Sequence, residues 1–195
     1  MSKLLVVDTE TGGLDPSRNS ILSVGAVVWE NGRLGESFEA YVLEPKLQID
    51  DKAMEINRID LAWLHLHGLN PADAVNRFVD FLRNTFKELH DRKEKIPIAG
   101  HNVNFDVGFL KRLFALAGED YDEVFSHRIL DTAGILRFLA LAETIPLSEA
   151  GSTAAFDYFH IDINSSERHT ALADARATGQ LLTKLVELVK QPETT

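Results

Sequence analysis

Asn31 and Gly32 separate two segments of this sequence that have the composition of β-strands. The first, residues 21–29, is rich in β-branched and aromatic side chains, and an Asn-Gly pair directly after such a segment is typical of a hairpin turn. A second strand is therefore expected near residues 36–43. The hairpin predicts a fold built on a β-sheet.

Helical patterns alternate with short strands in the rest of the chain. The clearest helix begins at Asn70 and Pro71, which have the types of a cap and a first-turn proline, and it is expected to run to about His90. A hairpin followed by alternating helices and strands favours an α/β fold with a mixed sheet. The pattern of apolar residues predicts further strands at residues 96–100 and 128–130. It also predicts helices at 51–56, 105–116 and 132–141, a helix that ends near residue 158, and a last helix from 170 to 189.

The chain has the length and composition of one globular domain. It has 195 residues, of which 45% are hydrophobic and 26% are charged, and this is enough for one substantial core. We expect a single domain over residues 1–190 and a frayed tail at 191–195. No apolar stretch approaches the roughly 20 residues that span a bilayer, and the N-terminus has no signal-peptide pattern. A soluble, cytoplasmic protein without membrane contact is expected.

The lack of cysteine and the acidic balance both limit the chemistry. Without cysteine, a metal ion must be bound by Asp, Glu, His or backbone oxygen, and these ligands favour Mg²⁺ or Mn²⁺. The net charge of −10 argues against binding nucleic acid through a broad basic surface. A small contact with nucleic acid, assisted by metal ions, is compatible with this charge.

Asp8 and Glu10 follow an apolar segment at residues 4–7. Because residues two apart in a strand project from the same face, both carboxylates are expected on one side of the sheet. Like charges held together at the end of a buried strand are costly unless a cation or a shared proton relieves them. A metal site is one interpretation of this pair, and a solvated turn after the strand is the other.

Two further acidic residues lie at predicted helix starts. Asp106 follows the strand at 96–100, and Asp174 lies in the first turn of the last helix. A carboxylate at a helix N-terminus is stabilised by the helix dipole and by free N–H groups, so each residue alone also fits a capping role. His169 comes just before Thr170, a good helix cap, and is therefore expected on the preceding loop.

Three segments of the chain resemble the three motifs of the DEDDh 3′–5′ exonucleases, and they occur in the same order. The family includes the proofreading subunit of bacterial DNA polymerase. The motifs extend over nearly the whole chain, and they are Val7-Asp8-Thr9-Glu10-Thr11-Gly12-Gly13-Leu14, His101-Asn102-Val103-Asn104-Phe105-Asp106 and His169-Thr170-Ala171-Leu172-Ala173-Asp174.

The resemblance implies a ribonuclease-H-like fold, with a mixed five-stranded β-sheet flanked by α-helices. It also implies hydrolysis of single-stranded DNA or RNA from the 3′ end, with release of nucleoside 5′-monophosphates. His169 would be the general base, a role that suits a side chain with a reference pKa of about 6.5. The residues implied to bind two divalent cations, Mg²⁺ or Mn²⁺, and to take part in catalysis are Asp8, Glu10, Asp106 and Asp174.

The resemblance further implies that Thr9, Thr11, Leu14 and Asn102 contact the substrate, because these positions touch the terminal nucleotide in similar enzymes. Ordinary packing is an alternative for Leu14, and a structural role in the loop is an alternative for Asn102. Three other side chains are assigned structural roles from their positions. Asp131 is expected to cap the helix that follows it, and an indirect link to the site is the alternative. Trp29 and Trp63 are expected in the core rather than as platforms that stack bases.

The expected partner is the 3′ end of a single-stranded nucleic acid. An alternative is a proofreading module that acts mainly as a docked subunit of a DNA polymerase or another replication protein. The chain ends soon after Asp174, and this favours a free-standing nuclease. The resemblance is compatible with either a monomer or a homodimer.

Overall fold

A five-stranded mixed sheet forms the centre of the protein. The computed structural model describes residues 3–57, 59–146, 148, 151–163 and 170–190. The sheet order is β3-β2-β1-β4-β5, with β1 to β3 antiparallel and β1, β4 and β5 parallel. The prediction of an α/β fold with a mixed five-stranded sheet is confirmed. The strands are β1 (Lys3–Thr11), β2 (Ile21–Glu30), β3 (Arg33–Tyr41), β4 (Ile96–Gly100) and β5 (Phe125–Asp131).

Helices cover both faces of this sheet. One face packs against the helices that follow β3 and β4, and the other packs against the last helix. In the part of the chain that the structure describes, no helix has the length and apolar character needed to cross a membrane. The helices are α1 (Asp51–Asn57), α2 (Leu61–His67), α3 (Pro71–Thr85), α4 (Lys87–Asp91), α5 (Asn104–Ala117), α6 (Tyr121–Val124), α7 (Thr132–Leu141), α8 (Ser152–Tyr158) and α9 (Ala171–Lys190).

The predicted hairpin turn joins β2 to β3. Asn31 and Gly32 both have positive φ, 52° and 86°, as a two-residue turn between right-twisted strands requires. Strand pairing resumes at once, with Glu30 opposite Arg33. The second strand therefore begins three residues earlier than the sequence pattern suggested.

The helix predicted to run from Pro71 to about His90 is wrong at its C-terminal end. It ends at Thr85, because Phe86 has φ −111° and ψ 34° and leaves the helical conformation. The Phe86 side chain is buried in the core. A separate short helix, α4, follows the break.

Two of the three expected structural roles are confirmed by burial and hydrogen bonds. Asp131 accepts a hydrogen bond from the Ala133 N–H at 2.9 Å, so its predicted capping role is confirmed. Trp29 is buried, and its indole N–H donates to the Thr183 hydroxyl. Trp63 was expected in the core as well, but this prediction is wrong because the residue is 42% exposed.

Candidate active site

The end of β1 presents two carboxylates toward α9. Val6 packs on this side of the sheet with Ala175 of α9, and Asp8 and Glu10 continue the same face because strand side chains alternate. The register of β1 against β2 shifts between Glu10 and Thr11. Such an irregularity bends a strand locally, and here it comes directly after the acidic pair.

Gly25 of β2 allows the start of α9 to approach the sheet closely. It pairs with Asp8 across the two strands, and a Cβ at this position would lie 2.2 Å from the backbone nitrogen of Leu172. A larger residue would therefore displace α9. Because Asp174 lies in the first turn of α9, the close approach brings its carboxylate to Asp8.

Two polar side chains hold the first turn of α9. The Thr170 hydroxyl accepts a hydrogen bond from the Ala173 N–H at 3.3 Å, which confirms the predicted cap. The Leu172 backbone N–H faces the Glu39 carboxylate of β3 and lowers its pKa, although burial raises that pKa more. The backbone that carries Asp174 is thus anchored both locally and to the sheet.

Asp106 also lies at this end of the sheet, but it belongs to α5, on the face opposite to α9. β4 pairs with β1 only through Leu5 and Val6, so the start of α5 lies beside the unpaired end of β1. Asp106 is 4% exposed. The Thr9 hydroxyl donates to Asp106 Oδ1 at 2.8 Å, which fixes the orientation of this carboxylate.

Three carboxylates converge at this end of the sheet. One oxygen each from Asp8, Glu10 and Asp174 lies within 4.8 Å of the others. Asp106 is near enough for its charge to act on both Asp8 and Glu10. The structure therefore brings together four of the five residues that the sequence motifs single out for catalysis. The fifth, His169, lies outside the described residues.

Burial and mutual repulsion raise the pKa values of carboxyl groups in this cluster. Burial is the main cause that raises the pKa of Asp8 well above its ordinary value, followed by the charges of Asp106, Glu10 and Asp174. Burial and the charges of Asp174 and Asp106 raise the pKa of Glu10 to about 8. Burial also raises the pKa of Asp106 to about 7, although hydrogen bonds, first of all from the Thr9 hydroxyl, lower it in part.

These side chains fit a hard divalent cation. The donor set consists of carboxylate oxygens, the ligands that Mg²⁺ and Mn²⁺ prefer in proteins. A cation bound among Asp8, Glu10 and Asp174 would offset the repulsion and the loss of hydration that raise their pKa values. The four acidic residues carry as much negative charge as two divalent ions carry positive charge.

A pocket of about 450 Å³ opens beside Asp8 and Asp174. Leu14 contributes to its lining and is 84% exposed, so the alternative of ordinary packing is wrong for this residue. Asn102 also lines the pocket, has a positive φ of 57°, and donates its backbone N–H to Asp131 Oδ1. The expected structural link at Asn102 is therefore made by its backbone, and its side chain is exposed.

Thr9 and Thr11 make hydrogen bonds within the protein. The Thr9 hydroxyl donates to Asp106, and the Thr11 hydroxyl donates to the Gly13 carbonyl oxygen at 2.7 Å. Both residues are less than a tenth exposed. Contact of either residue with a substrate stays a prediction.

Sequence reasoning missed Gly25 and Glu39, which position α9 relative to the sheet. A glycine inside an otherwise apolar strand is a signal for close approach of another backbone, so Gly25 could have been noticed. No comparable signal marks Glu39, because its contact with Leu172 joins residues far apart in the sequence.

The family model RNase_T, described as exonuclease, matches residues 5–182. The chain belongs to this exonuclease family. The prediction that this chain is an exonuclease is thereby confirmed.

Two curated relatives cover almost the whole of this exonuclease domain. The PolC-type DNA polymerase III of Oceanobacillus iheyensis is 30% identical over 97% of the chain, and the chain spans only 12% of that polymerase. Ribonuclease T of Wigglesworthia glossinidia brevipalpis is 28% identical over 96% of the chain and 86% of its own length.

Solved structures of exonucleases share the fold. Escherichia coli exonuclease I in complex with a dT13 oligonucleotide superimposes with a TM-score of 0.76 at 19% identity, over 95% of this chain and 41% of that one. The nuclease domain of 3′hExo, a DEDDh family member bound to rAMP, gives a TM-score of 0.71 at 15% identity, over 95% and 92% of the two chains.

Proposed function

We propose that this protein removes nucleotides one at a time from the 3′ end of single-stranded DNA or RNA and releases nucleoside 5′-monophosphates. Residues 1–190 would act as one exonuclease domain. The observation that carries the proposal is the convergence of Asp8, Glu10 and Asp174, with oxygens within 4.8 Å of one another, in a chain of the exonuclease family.

Asp8, Glu10, Asp106 and Asp174 would hold two divalent cations, Mg²⁺ or Mn²⁺. When bound, such cations lower the pKa of water and stabilise negative charge on the phosphoryl oxygens and on the leaving 3′ oxygen. The protein supplies rigid positions for these carboxylates. β1 fixes Asp8 and Glu10, the Thr9 hydroxyl orients Asp106, and the contact of α9 with Gly25 sets the position of Asp174.

His169 is the proposed general base. Its neighbour Thr170 caps α9, so His169 precedes the helix while Asp174 lies within its first turn. Replacing a general base typically slows hydrolysis by about 100- to 10,000-fold. We expect a loss in this range for His169→Ala, with an unchanged melting temperature.

Leu14 is proposed to contact the terminal bases. An 84% exposed leucine beside the pocket presents apolar surface to solvent, and a base that covers it would remove this surface from water. The exposed side chain of Asn102 faces the same pocket and is proposed to contact the sugar or phosphate of the terminal nucleotide.

The experiment that tests the proposed function uses a 5′-labelled single strand with Mg²⁺ or Mn²⁺. We expect stepwise shortening, release of 5′-monophosphates, and inhibition by EDTA or by a 3′-phosphate. Internal cuts, shortening from the 5′ end, or no cleavage at all would contradict the proposal.

A proofreading module that acts within a polymerase assembly is a second candidate. The match to a segment of PolC-type DNA polymerase III favours it. If this candidate is correct, the isolated protein will cleave slowly, and addition of a polymerase subunit from the same organism will increase the rate. Equal rates with and without such a subunit would support a free-standing nuclease.

A further inference from the structure

Three aromatic rings form an exposed cluster between β3 and α2. Tyr41 meets Trp63 edge to face, with ring centroids 4.8 Å apart, and Trp63 lies against His67 at the same distance, with 36° between the ring planes. Trp63 and His67 are separated by four residues and therefore share one side of α2. We call Tyr41, Trp63 and His67 the aromatic platform.

The aromatic platform continues the row of residues that contains Glu10. Glu10 pairs with Ser23 of β2, and Ser23 pairs with Tyr41 of β3. Residues that pair directly across a sheet share one face, so Tyr41 and Glu10 project from the same side, about 10 Å apart at two strand spacings. The aromatic platform and the carboxylates are thus parts of one surface.

Contacts outside the aromatic platform also hold α2 in place. α2 is held to the protein by Leu64, which is fully buried, and it begins at a cap formed by Asp60. Trp63 remains 42% exposed beside these contacts. A large aromatic side chain left open to solvent next to a site is available to cover an apolar ligand.

The charges near Tyr41 favour a neutral ligand over an anionic one. Glu39 and Glu10 lie on the same face as Tyr41, and burial, followed by the charges of these two residues, raises the pKa of Tyr41. Glu39 lies outside the proposed cation site, so its charge would repel a phosphate placed beside Tyr41, and Arg176 offsets that charge only in part. A nucleobase is neutral, and it stacks on an aromatic ring with a gain of about 1–3 kcal/mol per base regardless of sequence.

We propose that the aromatic platform stacks one base near the 3′ end of the single strand on which the exonuclease acts. This inference rests on the proposed function and names a subsite for it. The base contact is made before and during hydrolysis, so it contributes to binding and leaves the chemical step unchanged.

The first test compares the kinetics of Trp63→Ala, Trp63→Phe and Leu66→Ala on a 5′-labelled oligothymidylate. We expect Trp63→Ala to raise KM about tenfold with little change in kcat, which corresponds to the loss of one stacked base. Trp63→Phe keeps a ring and should restore KM to within about threefold of the wild type. Leu66 is on the same helix, 80% exposed and outside the cluster, so Leu66→Ala should match the wild type.

The second test places an abasic sugar at each of the last three positions of the oligomer in turn. At one position the missing base should raise KM for the wild type about as much as Trp63→Ala does, and it should have no further effect on Trp63→Ala. Additive effects at all three positions would overturn the proposal. So would a KM for Trp63→Ala within twofold of the wild type.

The outcomes separate this inference from the proposed function. If the wild type shortens the strand but Trp63→Ala does so equally well, the subsite is wrong and the nuclease assignment stands. If the wild type cleaves nothing, the proposed function itself fails. Loss of a concentration-dependent dimer in Trp63→Ala, without a change in KM, would show that the aromatic platform binds a second copy of the chain and would overturn the stacking role.

Discussion

Gly25 and Ala171 are in backbone contact, and a Cβ on Gly25 would come within 2.1 Å of the Ala171 carbonyl carbon. The contact joins β2 to the first residue of α9. It matters for the site because Gly25 pairs with Asp8, and Asp174 follows Ala171 by three residues. One small residue therefore sets the distance between two carboxylates that are far apart in the sequence.

Gly25→Ala is expected to damage the site more than the fold. The added methyl group meets backbone atoms, which cannot rotate away, so the start of α9 must shift. A displacement of about 1 Å near reacting groups can lower the rate about 100-fold, while overpacking costs about 1–3 kcal/mol of stability. Initial rates and urea unfolding would measure both effects.

Gly35→Ala is the matched control for Gly25→Ala. Gly35 lies on β3, and a Cβ there would have its nearest neighbour at 3.7 Å, an ordinary contact with Val28. The rate should remain within twofold of the wild type. If Gly25→Ala behaves in the same way as Gly35→Ala, the close approach of α9 does not position Asp174.

Removing the Thr9 hydroxyl is expected to weaken cation binding. Thr9→Val leaves Asp106 without its 2.8 Å hydrogen bond, and loss of a group that orients a metal ligand typically costs 10- to 100-fold in metal affinity or activity. Thr9→Ser keeps the hydroxyl and should retain most of the function. The Mg²⁺ concentration that gives the half-maximal rate measures the effect, and equal values for the two variants would contradict it.

Stability of the metal-free protein should fall as the pH rises. The pKa of Glu10 is raised to about 8 and that of Asp106 to about 7, whereas their unfolded values lie near 4. Between about pH 4 and pH 8 the folded state therefore binds more protons than the unfolded state. The free energy of unfolding decreases as the pH rises through this range. A cation that binds the ionised carboxylates should reverse the loss.

Thermal unfolding with and without Mg²⁺ checks this dependence. For a domain of this size, 1 kcal/mol corresponds to roughly 2–4 °C in melting temperature. Mg²⁺ should raise the melting temperature by several degrees at pH 8 and by much less at pH 5.5. Asp174→Asn removes one repelling charge, so it should be more stable than the wild type in EDTA at pH 8. An equal effect of Mg²⁺ at both pH values would be inconsistent with this account.

The pair of Glu44 and Arg112 is expected to be important for stability. Glu44 is 3% exposed and accepts hydrogen bonds from Arg112 at 2.9 and 2.6 Å. Arg112→Met leaves a buried carboxylate without its cation, which costs about 3–5 kcal/mol. The double variant with Glu44→Gln should recover a large part of this loss. Urea midpoints measure both, and a double variant no more stable than Arg112→Met would disprove the pairing argument.

The sequence predicts those features of the fold that depend on local patterns. The Asn31-Gly32 turn, the Thr170 cap and the Asp131 cap are each set by residue types within a few positions, and the structure has all three. The break at Phe86 could not be read from periodicity, because the burial of that side chain depends on the core that it enters. The four-residue helix α6 is too short to show a periodic pattern.

The acidic cluster was predictable only in part. Alternation along β1 places Asp8 and Glu10 on one face, but it contains no information about Asp106 or Asp174, which the motif resemblance supplied. The roles of Gly25 and Trp63 depend on packing between distant segments. Trp63 in particular was expected inside, since tryptophan is usually well buried, and yet it remains open beside Tyr41.

The converging carboxylates are proposed to hold the cations on which hydrolysis depends. The most direct measurement compares the Mg²⁺-dependent initial rate on a 5′-labelled single strand for the wild type, Asp8→Asn, Asp174→Asn and the control Glu30→Gln. Glu30 lies at the other end of the same sheet, opposite Lys3. We expect both Asn variants to lose at least about 100-fold in rate, since each weakens a cation that contributes several kcal/mol, while Glu30→Gln keeps the wild-type rate. Wild-type rates for Asp8→Asn and Asp174→Asn would contradict the claim.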